Sequence, residues 1–430
     1  MQGDEVMKIL ITSDLYKPSI NGVVASILSL KQGLEERGHE VKILTLSPNM
    51  NSYVEGDVTY IGSLNAGKVY PGARLRYALA HPLLDALIAW KPDVVHSNCE
   101  LSTFLMARKI AKRSGCPLVH TYHTVYEDYT HYFSPSRRVG KSIVRKLSRV
   151  IARRTDTIVV PSVKVLKLLE GYDVDTPLDV IPTGIDQKKF SEHTDLDVAE
   201  LRKKCGIPEE NTVVISIGRL AKEKNIEELI DYMKAFAGEP VTLLIVGDGP
   251  YRRDLEKAAA KSGLPKEQIV FYGAVPPAEV GKYYHMGDIF VNSSTSETQG
   301  LTYFEALSCG LPVLAREDSC LEGVVEPGVN GWEYTDCVGF EEHLRWYLTH
   351  KEAHEQMRLA ALKTGARFSV QAFAASVENL YNKLIEENKT IRVARSRASR
   401  MKIHVRATVR KLKRTRMLKT AGHVVSKIIH

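Results

Sequence analysis

Short apolar strands alternate with amphipathic helices from residue 8 onward, and this alternation restricts the fold more than any other feature of the sequence. The run KILIT at residues 8–12 precedes a helical pattern over residues 22–37, and a second apolar run, HEVKILTL, follows at residues 39–46. Further strands are predicted at residues 93–96, 117–122 and 157–161. Because neighbouring parallel strands need a crossover that is usually a helix, this order predicts a parallel sheet covered by helices.

The same alternation begins again after residue 186. Strands are predicted at residues 212–217, 241–246, 269–271, 289–292 and 312–314, with helices between them. We therefore predict an α/β fold in which two Rossmann-like domains face a central cleft. The predicted parts are a first domain at residues 1–185, a second domain at 186–367, a crossover helix at 368–390 and a basic helical tail at 391–430. Ligands of such folds bind beyond the carboxyl ends of the strands.

The charge distribution predicts contact with a polyanionic surface. The chain has a net charge of +8, and residues 391–430 contain 13 Lys or Arg and no Asp or Glu. Residues 134–154 contain eight more basic residues and again no acid. A membrane and a nucleic acid are both such surfaces. The basic residues of the tail alternate with aliphatic side chains and not with aromatic ones that stack on bases, which favours the membrane.

Composition excludes several other classes of protein. Apolar residues make up 44% of the chain and charged residues 26%, as in ordinary globular proteins, and no apolar run reaches the roughly 18 to 20 residues that span a bilayer. The six cysteines are scattered without a C-x-x-C pair, and the N-terminus has no pattern of a secretory signal. We therefore predict a cytoplasmic protein without structural disulfides or a zinc site.

The segment TSETQGLTYFEALSCG, at residues 295–310, is the most specific candidate for a binding site. Glu297 follows a predicted strand. Glu305 is separated from it by seven residues and lies on a predicted helix. Gly300 would let a ligand approach the backbone, and the N–H groups of Leu301 and Thr302 at the helix start would suit a phosphate. The two carboxylates could accept hydrogen bonds from sugar hydroxyls. The alternative is a helix start whose acids only interact favourably with its dipole.

Three other strand-end loops carry candidate ligand groups. In GRLAKEKN, Arg219 and Lys224 form a pair of cations suited to a diphosphate, although two solvated surface cations would have the same pattern. Gly22 stands before the first helix, where it permits close approach of a ligand. His123 begins the loop HTVYEDY and could contact a sugar hydroxyl, or it could be a structural histidine.

A basic amphipathic helix is predicted at residues 136–155. Its apolar residues are placed on one stripe, namely Val139, Ile143, Val144, Leu147, Val150 and Ile151. Lys and Arg fill most of the remaining surface, which is typical of a helix lying in an anionic membrane interface. The alternative is an ordinary surface helix whose stripe packs in the core.

Together these segments resemble retaining glycosyltransferases of family 4, which have the GT-B fold. The resemblance rests on Glu297 and Glu305, on Gly218, Arg219 and Lys224, on the Gly22 loop and on PTGID at residues 182–186, and it extends over residues 7–388. The segments HTVYEDYTHYF and TSETQGLTYFEAL are similar to bacterial 1,2-diacylglycerol 3-glucosyltransferases. Gln299 is a departure, because many members of the family have an aromatic residue or proline there.

The resemblance implies a role for each candidate residue. Groups that would hold the nucleotide diphosphate are Arg219, Lys224 and the backbone amides of Leu301 and Thr302 beside Gly300. Glu305 would bind the ribose, and the backbone of Val275 would bind the base. The residues at the donor sugar and leaving group would be Glu297, His123 and Gly22, with Glu297 and His123 as the catalytic residues.

The implied activity is the transfer of a hexose, glucose from UDP-glucose, to the membrane lipid 1,2-diacylglycerol with retention of configuration. The resemblance implies no metal and no cofactor, a nucleotide sugar and an anionic membrane surface as partners, and a peripheral position on the inner face of the cell membrane. Two alternatives remain open. The first is a family 4 transferase acting on phosphatidylinositol, a polyisoprenoid-linked saccharide or a soluble saccharide, and the second is a nucleic-acid-binding protein that uses the basic tail.

Overall fold

The computed structural model describes residues 6–19, 21–66, 74–76, 78–127, 134, 136–191 and 195–390. The chain divides into two compact units, Met1–Glu378 and Asn379–His430. The predicted basic tail at 391–430 lies outside the described residues, as do residues 128–133 of the loop that begins at His123.

The first sheet has eight strands in the order β10-β9-β8-β7-β1-β2-β4-β3, and all neighbouring pairs are parallel except β3 with β4. The strands of this domain, including the separate pair β5–β6, are β1 (Lys8–Ser13), β2 (Glu40–Leu46), β3 (Tyr53–Glu55), β4 (Val58–Ile61), β5 (Leu64–Asn65), β6 (Arg74–Leu75), β7 (Val94–Ser97), β8 (Leu118–Thr121), β9 (Thr157–Val160) and β10 (Leu178–Val180). The helices that cover the sheet are α1 (Gly22–Glu36), α2 (Pro82–Trp90), α3 (Ser102–Ser114), α4 (Arg137–Ala152) and α5 (Val163–Glu170). The central strands are buried on both faces, which explains their continuous apolar runs.

The second sheet has six strands, all parallel, in the order β13-β12-β11-β14-β15-β16. These strands are β11 (Thr212–Ile217), β12 (Val241–Val246), β13 (Ile269–Gly273), β14 (Ile289–Asn292), β15 (Val313–Arg316) and β16 (Gly331–Tyr334). The helices are α6 (Lys188–Ser191), α7 (Asp195–Lys204), α8 (Ile226–Tyr232), α9 (Arg252–Lys261), α10 (Val280–Tyr284), α11 (Leu301–Ser308), α12 (Cys337–Thr349) and α13 (His354–Ala366). The prediction of two Rossmann-like domains is confirmed.

A last helix covers residues 370–390, and its first two turns return to the first domain. A Cβ added at Gly33 of α1 would lie 2.6 Å from the Cβ of Ala374, so this glycine allows the two helices to approach closely. Glu378 pairs with Arg37 and with the buried ring of His39. These contacts join the end of the second domain to α1, while the exact boundaries at residues 185, 367 and 390 stay a prediction.

The predicted basic helix is α4, but its apolar residues do not form one stripe. Val144 and Ile151 are buried, together with the small residues Gly140 and Ser148. The other four apolar residues form a solvent-facing row, Val139, Ile143, Leu147 and Val150, with 38–54% of each side chain exposed. The prediction of a single stripe fails because the buried row and the exposed row are neighbours on the helix. In the sequence pattern they look like one broad apolar face.

Within the described ranges, no helix combines the length and the apolar character that a bilayer crossing requires.

Candidate functional site

The loop before α11 requires a glycine at residue 300. Gly300 has φ 75°, and a Cβ added there would lie 2.4 Å from the ring of Tyr303. The left-handed backbone turns the chain so that α11 begins at Leu301. The first N–H groups of a helix have no acceptor within the helix, and they carry the positive end of its dipole. The start of α11 is therefore suited to an anion, and binding of a phosphate there stays a prediction.

Lys224 and Glu297 form an ion pair at the end of the second sheet. Lys224 Nζ lies 2.5 Å from Glu297 Oε1, and only 13% of the Glu297 side chain is exposed. The Oγ of Ser293 donates to the backbone oxygens of Lys224 (3.1 Å) and Asn225 (2.8 Å), which fixes the lysine turn against the end of β14. The two predicted site residues are thus in direct contact, so the candidate diphosphate and sugar groups adjoin.

Arg219 lies in the same loop, directly after β11. Its guanidinium pairs with Glu223, and about half of the side chain is exposed. The loop rests on the turn after β12, where a Cβ added at Gly247 would lie 1.9 Å from the backbone oxygen of Gly218. The exposed guanidinium can exchange Glu223 for an anionic ligand. The sequence analysis did not identify Glu223 as a partner of the candidate residue Arg219.

Glu305 lies one turn into α11 and is held by a tyrosine from α10. The Tyr284 hydroxyl donates to Glu305 Oε2 at 2.6 Å. Burial raises the pKa of Glu305, while the hydrogen bond from Tyr284 and the charge of Lys189 act in the opposite direction. Sequence reasoning missed Tyr284. This tyrosine precedes Glu305 by 21 residues and lies on another helix, and no sequence pattern connects the two.

Val275 is partly buried and packs on the core of the second domain, two residues after Gly273 at the end of β13. Gly273 has φ 108°, and its backbone oxygen accepts from the N–H of Gly247 at 2.8 Å. The backbone around Val275 therefore lies beyond the carboxyl end of a strand, as predicted for a residue that meets a ligand.

The first domain contributes Gly22, which faces the start of α11. A Cβ added at Gly22 would lie 3.8 Å from Leu301 Cδ1, in ordinary van der Waals contact. Asn21 caps α1 by accepting from Val24 N at 3.0 Å. The beginnings of α1 and α11 are thus close together, and the structure places the predicted residues Gly22 and Leu301 side by side.

His123 follows β8 and is anchored by Asn98 beyond β7. His123 Nε2 lies 2.8 Å from Asn98 Oδ1, and an amide oxygen can only accept, so Nε2 is the donor. Burial and, to a smaller extent, the nearby ring of His120 together lower the pKa of His123 to about 3. His123 is therefore neutral at physiological pH, with Nδ1 left as an acceptor. Asn98 was missed, although its position directly after a strand was the available signal.

A buried polar cluster lies behind His123. The Tyr126 hydroxyl donates to Glu100, and the other Glu100 oxygen lies 3.6 Å from His120 Nε2. The ring of His120 is fully buried, and neither of its nitrogens has a hydrogen-bond partner within the described part of the chain. Asp14, in the loop after β1, accepts from Thr103 N at 2.8 Å. Such a concentration of titratable groups is typical of functional sites.

Asp14→Asn is expected to stabilise the protein at neutral pH more than at acid pH. The pKa of Asp14 is raised from 3.8 to about 6, because burial and, to a smaller extent, the charge of Glu100 outweigh the hydrogen bonds from Thr103. Because the folded-state value is the higher one, the associated stability is present below pH 3.8 and is lost as the pH rises through 6. Between pH 4 and 7.5, the advantage of the variant should grow by about 2 to 3 kcal/mol.

Urea denaturation of the wild type and the variant across this pH range measures the effect. Asp93→Asn is the matched control, because Asp93 also accepts a backbone N–H, that of Lys8 at 2.8 Å, but at an exposed position. A constant difference between Asp14→Asn and the wild type at every pH would contradict the expected titration.

Two family profiles match most of the chain. Residues 20–189 match the profile "Glycosyltransferase Family 4", and residues 197–364 match "Glycosyl transferases group 1". The boundary between the two matches falls just after PTGID at residues 182–186, the segment between the two sheets that we call the hinge.

Among curated relatives, the alpha-monoglucosyldiacylglycerol synthase of Acholeplasma laidlawii is 34% identical over 399 residues, which cover 89% of this chain and 98% of that protein. The alpha-monoglucosyldiacylglycerol synthase of Streptococcus pneumoniae is 35% identical over 336 residues, which cover 76% of this chain and 75% of that protein. Both alignments extend over most of the relative as well as of this chain.

Solved structures agree on the fold. The crystal structure of Anabaena HepE in complex with UDP-glucose aligns with a TM-score of 0.68 at 18% identity, over 88% of this chain and all of that one. Two parallel Rossmann-like sheets, two matching family profiles and relatives above 30% identity lead to one conclusion. The chain belongs to glycosyltransferase family 4 and has the GT-B fold.

Proposed function

We propose that this protein transfers the glucosyl group of UDP-glucose to 1,2-diacylglycerol, with retention of configuration and without a metal ion. The observation that carries the proposal is the Lys224–Glu297 ion pair beside the start of α11, with Gly22 of the first domain opposite. A cation, a helix start and a carboxylate are the groups that a diphosphate joined to a sugar requires. The names of the two relatives support diacylglycerol as the acceptor, and the UDP-glucose bound to HepE supports the donor.

In this proposal the second domain binds UDP. Arg219 leaves Glu223 to bind the diphosphate together with Lys224 and the N–H groups of Leu301 and Thr302, which Gly300 makes accessible. Glu305, oriented by Tyr284, accepts hydrogen bonds from the ribose, and the backbone of Val275 contacts the base. Two cations and a helix start supply the charge compensation that Mg²⁺ provides in other phosphoryl sites, so we propose that no metal is needed.

The donor sugar would lie between Glu297 and the first domain. Glu297 accepts from sugar hydroxyls, and Nδ1 of the neutral His123 accepts another hydroxyl. Gly22 leaves room for the sugar close to the helix start. The acceptor oxygen forms its bond to the anomeric carbon on the face from which the diphosphate leaves, and the diphosphate oxygen takes the acceptor's proton. This step needs no covalent nucleophile from the protein.

The lipid acceptor requires the first domain to reach a membrane. The exposed apolar row of α4 is flanked by five exposed basic residues without an ion-pair partner in the part of the chain that the structure describes, namely Arg137, Arg138, Lys146, Arg153 and Arg154. Apolar side chains between unpaired cations match an anionic bilayer surface. We propose a peripheral position on the inner face of the cell membrane, to which the tail at 391–430 also contributes.

The test is a matrix of donors and acceptors. Purified protein is given UDP-glucose, UDP-galactose or GDP-mannose, each with diacylglycerol, phosphatidylinositol, a polyprenyl-linked saccharide or a soluble sugar. Mass spectrometry identifies the products, and NMR gives the anomeric configuration. We expect an α-glucosyldiacylglycerol, formed equally well in EDTA.

Other results would replace this function. Transfer only to one of the other acceptors would make the protein a family 4 enzyme of a different pathway. Inversion at the anomeric carbon, or loss of turnover in EDTA with recovery in Mg²⁺, would refute the proposed chemistry. Salt-sensitive binding of duplex DNA but not of anionic vesicles would favour the nucleic-acid alternative.

Glu297→Gln and Glu305→Gln are expected to separate sugar transfer from UDP binding. Glu297→Gln should lower kcat by about 10- to 100-fold while UDP affinity changes little, because its proposed contact is to the sugar. Glu305→Gln should weaken UDP itself by about 10-fold, since it contacts the ribose. Calorimetry with UDP and turnover with UDP-glucose measure the two effects. Equal losses of UDP affinity in both variants would reverse or remove the assignment.

A further inference from the structure

The side chain of Gln299 is clamped onto the backbone of the hinge. Its Oε1 accepts from Thr183 N at 2.9 Å, and its Nε2 donates to Thr183 O at 3.1 Å. Both residues are buried, with 5% of Gln299 and 4% of Thr183 exposed. A primary amide can pair with both polar groups of one backbone unit at once, so the contact fixes the direction as well as the distance.

The clamp continues into the first domain. The hydroxyl of Thr183 lies 2.9 Å from the hydroxyl of Ser26, a buried residue of α1 one turn after Gly22. Gln299 itself lies two residues after Glu297 and directly before Gly300. An unbroken series of hydrogen bonds therefore joins the loop that carries the sugar-binding carboxylate to the helix that faces it.

Other contacts hold the same loop from the first domain. Ser162 Oγ donates to Thr298 O at 2.5 Å. Lys164 Nζ donates to Thr295 O at 3.0 Å and pairs with the buried carboxylate of Asp318 at 2.6 Å. Ser162 and Lys164 each bind one backbone oxygen of the loop, whereas the amide of Gln299 binds both backbone polar groups of Thr183.

We propose that Gln299 is a positioning residue, which sets Glu297 and the start of α11 against the first domain by locking their loop to the hinge at Thr183. The proposal rests on the proposed function, in which Glu297 contacts the donor sugar. Loss of the amide would leave the buried N–H and C=O of Thr183 without partners, so the loop would shift or fluctuate to admit water. Glu297 would then no longer be held at the sugar.

Gln299→Met tests the clamp, because methionine has a similar length and volume but no amide. Gln268→Met is the matched control. Gln268 is also buried, accepts from Gly238 N at 3.0 Å and donates to the backbone oxygens of Phe236 and Glu239, but it lies before β13, at the end of the sheet away from the site. Both variants should unfold at lower urea concentration than the wild type.

Only Gln299→Met should change the chemistry. We expect kcat/KM for the donor to fall about 10- to 100-fold in Gln299→Met and less than about 3-fold in Gln268→Met. Combined with Glu297→Gln, the Gln299 change should add little further loss, because both act through the same carboxylate, while the Gln268 change should remain independent. Equal losses in the two methionine variants, or fully multiplicative losses with Glu297→Gln, would reduce Gln299 to a structural role.

Hydrogen exchange tests the clamp without any enzyme assay. In Gln299→Met the amide of Thr183 and the amides of residues 295–302 should exchange faster, and in Gln268→Met the amide of Gly238 should do so instead. If the wild type transfers no sugar, the proposed function fails, but faster exchange at Thr183 still supports the clamp. Unchanged exchange at Thr183 and in the loop overturns the inference even if the enzyme is active.

Discussion

Replacing Lys224 with methionine is expected to lower kcat/KM for the nucleotide sugar by about 100- to 1,000-fold, the usual cost of losing one preorganised charged donor at a developing negative charge. Two effects combine at this position. The diphosphate loses a cation, and Glu297, whose carboxylate now pairs with Lys224 Nζ at 2.5 Å, is left as an unpaired anion beside the leaving group. Repulsion between this carboxylate and the departing diphosphate adds to the lost attraction.

The effect of the unpaired Glu297 carboxylate can be measured separately from the loss of the cation. In a Glu297→Gln background, Lys224→Met removes only the cation, so its cost should be smaller than in the wild type. Lys222→Met is the matched control, because Lys222 is an exposed lysine in the same short turn, two residues earlier. It should change kcat/KM less than about 3-fold, as expected for surface positions. Similar losses in the two lysine variants would show that general charge and not the Lys224 contact matters.

Lys224 and Glu297 illustrate how much of the candidate site could be predicted from the sequence. The apolar runs of β11 and β14 located both strands, and the rule that ligands bind beyond strand ends selected the loops that hold Lys224 and Glu297. Their contact depends on β11 and β14 being neighbours in the sheet, although α8, β12, α9, β13 and α10 lie between these two strands in the chain. Sheet order is set by packing of the whole domain, so a local pattern could locate the residues but not their ion pair.

Contacts between side chains far apart in the chain could not be predicted from the sequence for the same reason. Tyr284 holds Glu305 from another helix, and Asn98 holds His123 from another strand end. Gln299 was noticed only as a departure from a familiar pattern, and its partner proved to be backbone, which leaves no trace in residue types. The periodicity of apolar residues therefore predicted the helices and strands, whereas the polar contacts could be identified only from the tertiary structure.

The other large expected effect is a loss of membrane binding when the exposed apolar row of α4 is changed. Ile143→Ser with Leu147→Ser should weaken binding to vesicles of anionic lipid by about 10- to 100-fold. Full burial of such a side chain contributes about 1.5 to 3 kcal/mol, and 48% of Ile143 and 38% of Leu147 are exposed and available for insertion. Because neither side chain lies in the core, the fold should be unaffected.

Val338→Ser with Leu359→Ser is the matched control, since these two residues are exposed aliphatic side chains on α12 and α13 of the second domain, with 67% and 54% of their surface accessible. Sedimentation with phosphatidylglycerol vesicles should separate the two double variants, and higher salt should weaken every form by screening the basic residues. The measurement is repeated with a chain that ends at Thr390, because the 13 basic residues beyond it could mask a loss at α4.

Transfer to a short-chain diacylglycerol in detergent micelles should persist in the α4 variant, because the nucleotide site is untouched. If both double variants bind vesicles like the wild type in the shortened chain as well, α4 is not the membrane-binding face, and the acceptor must reach the cleft by another surface.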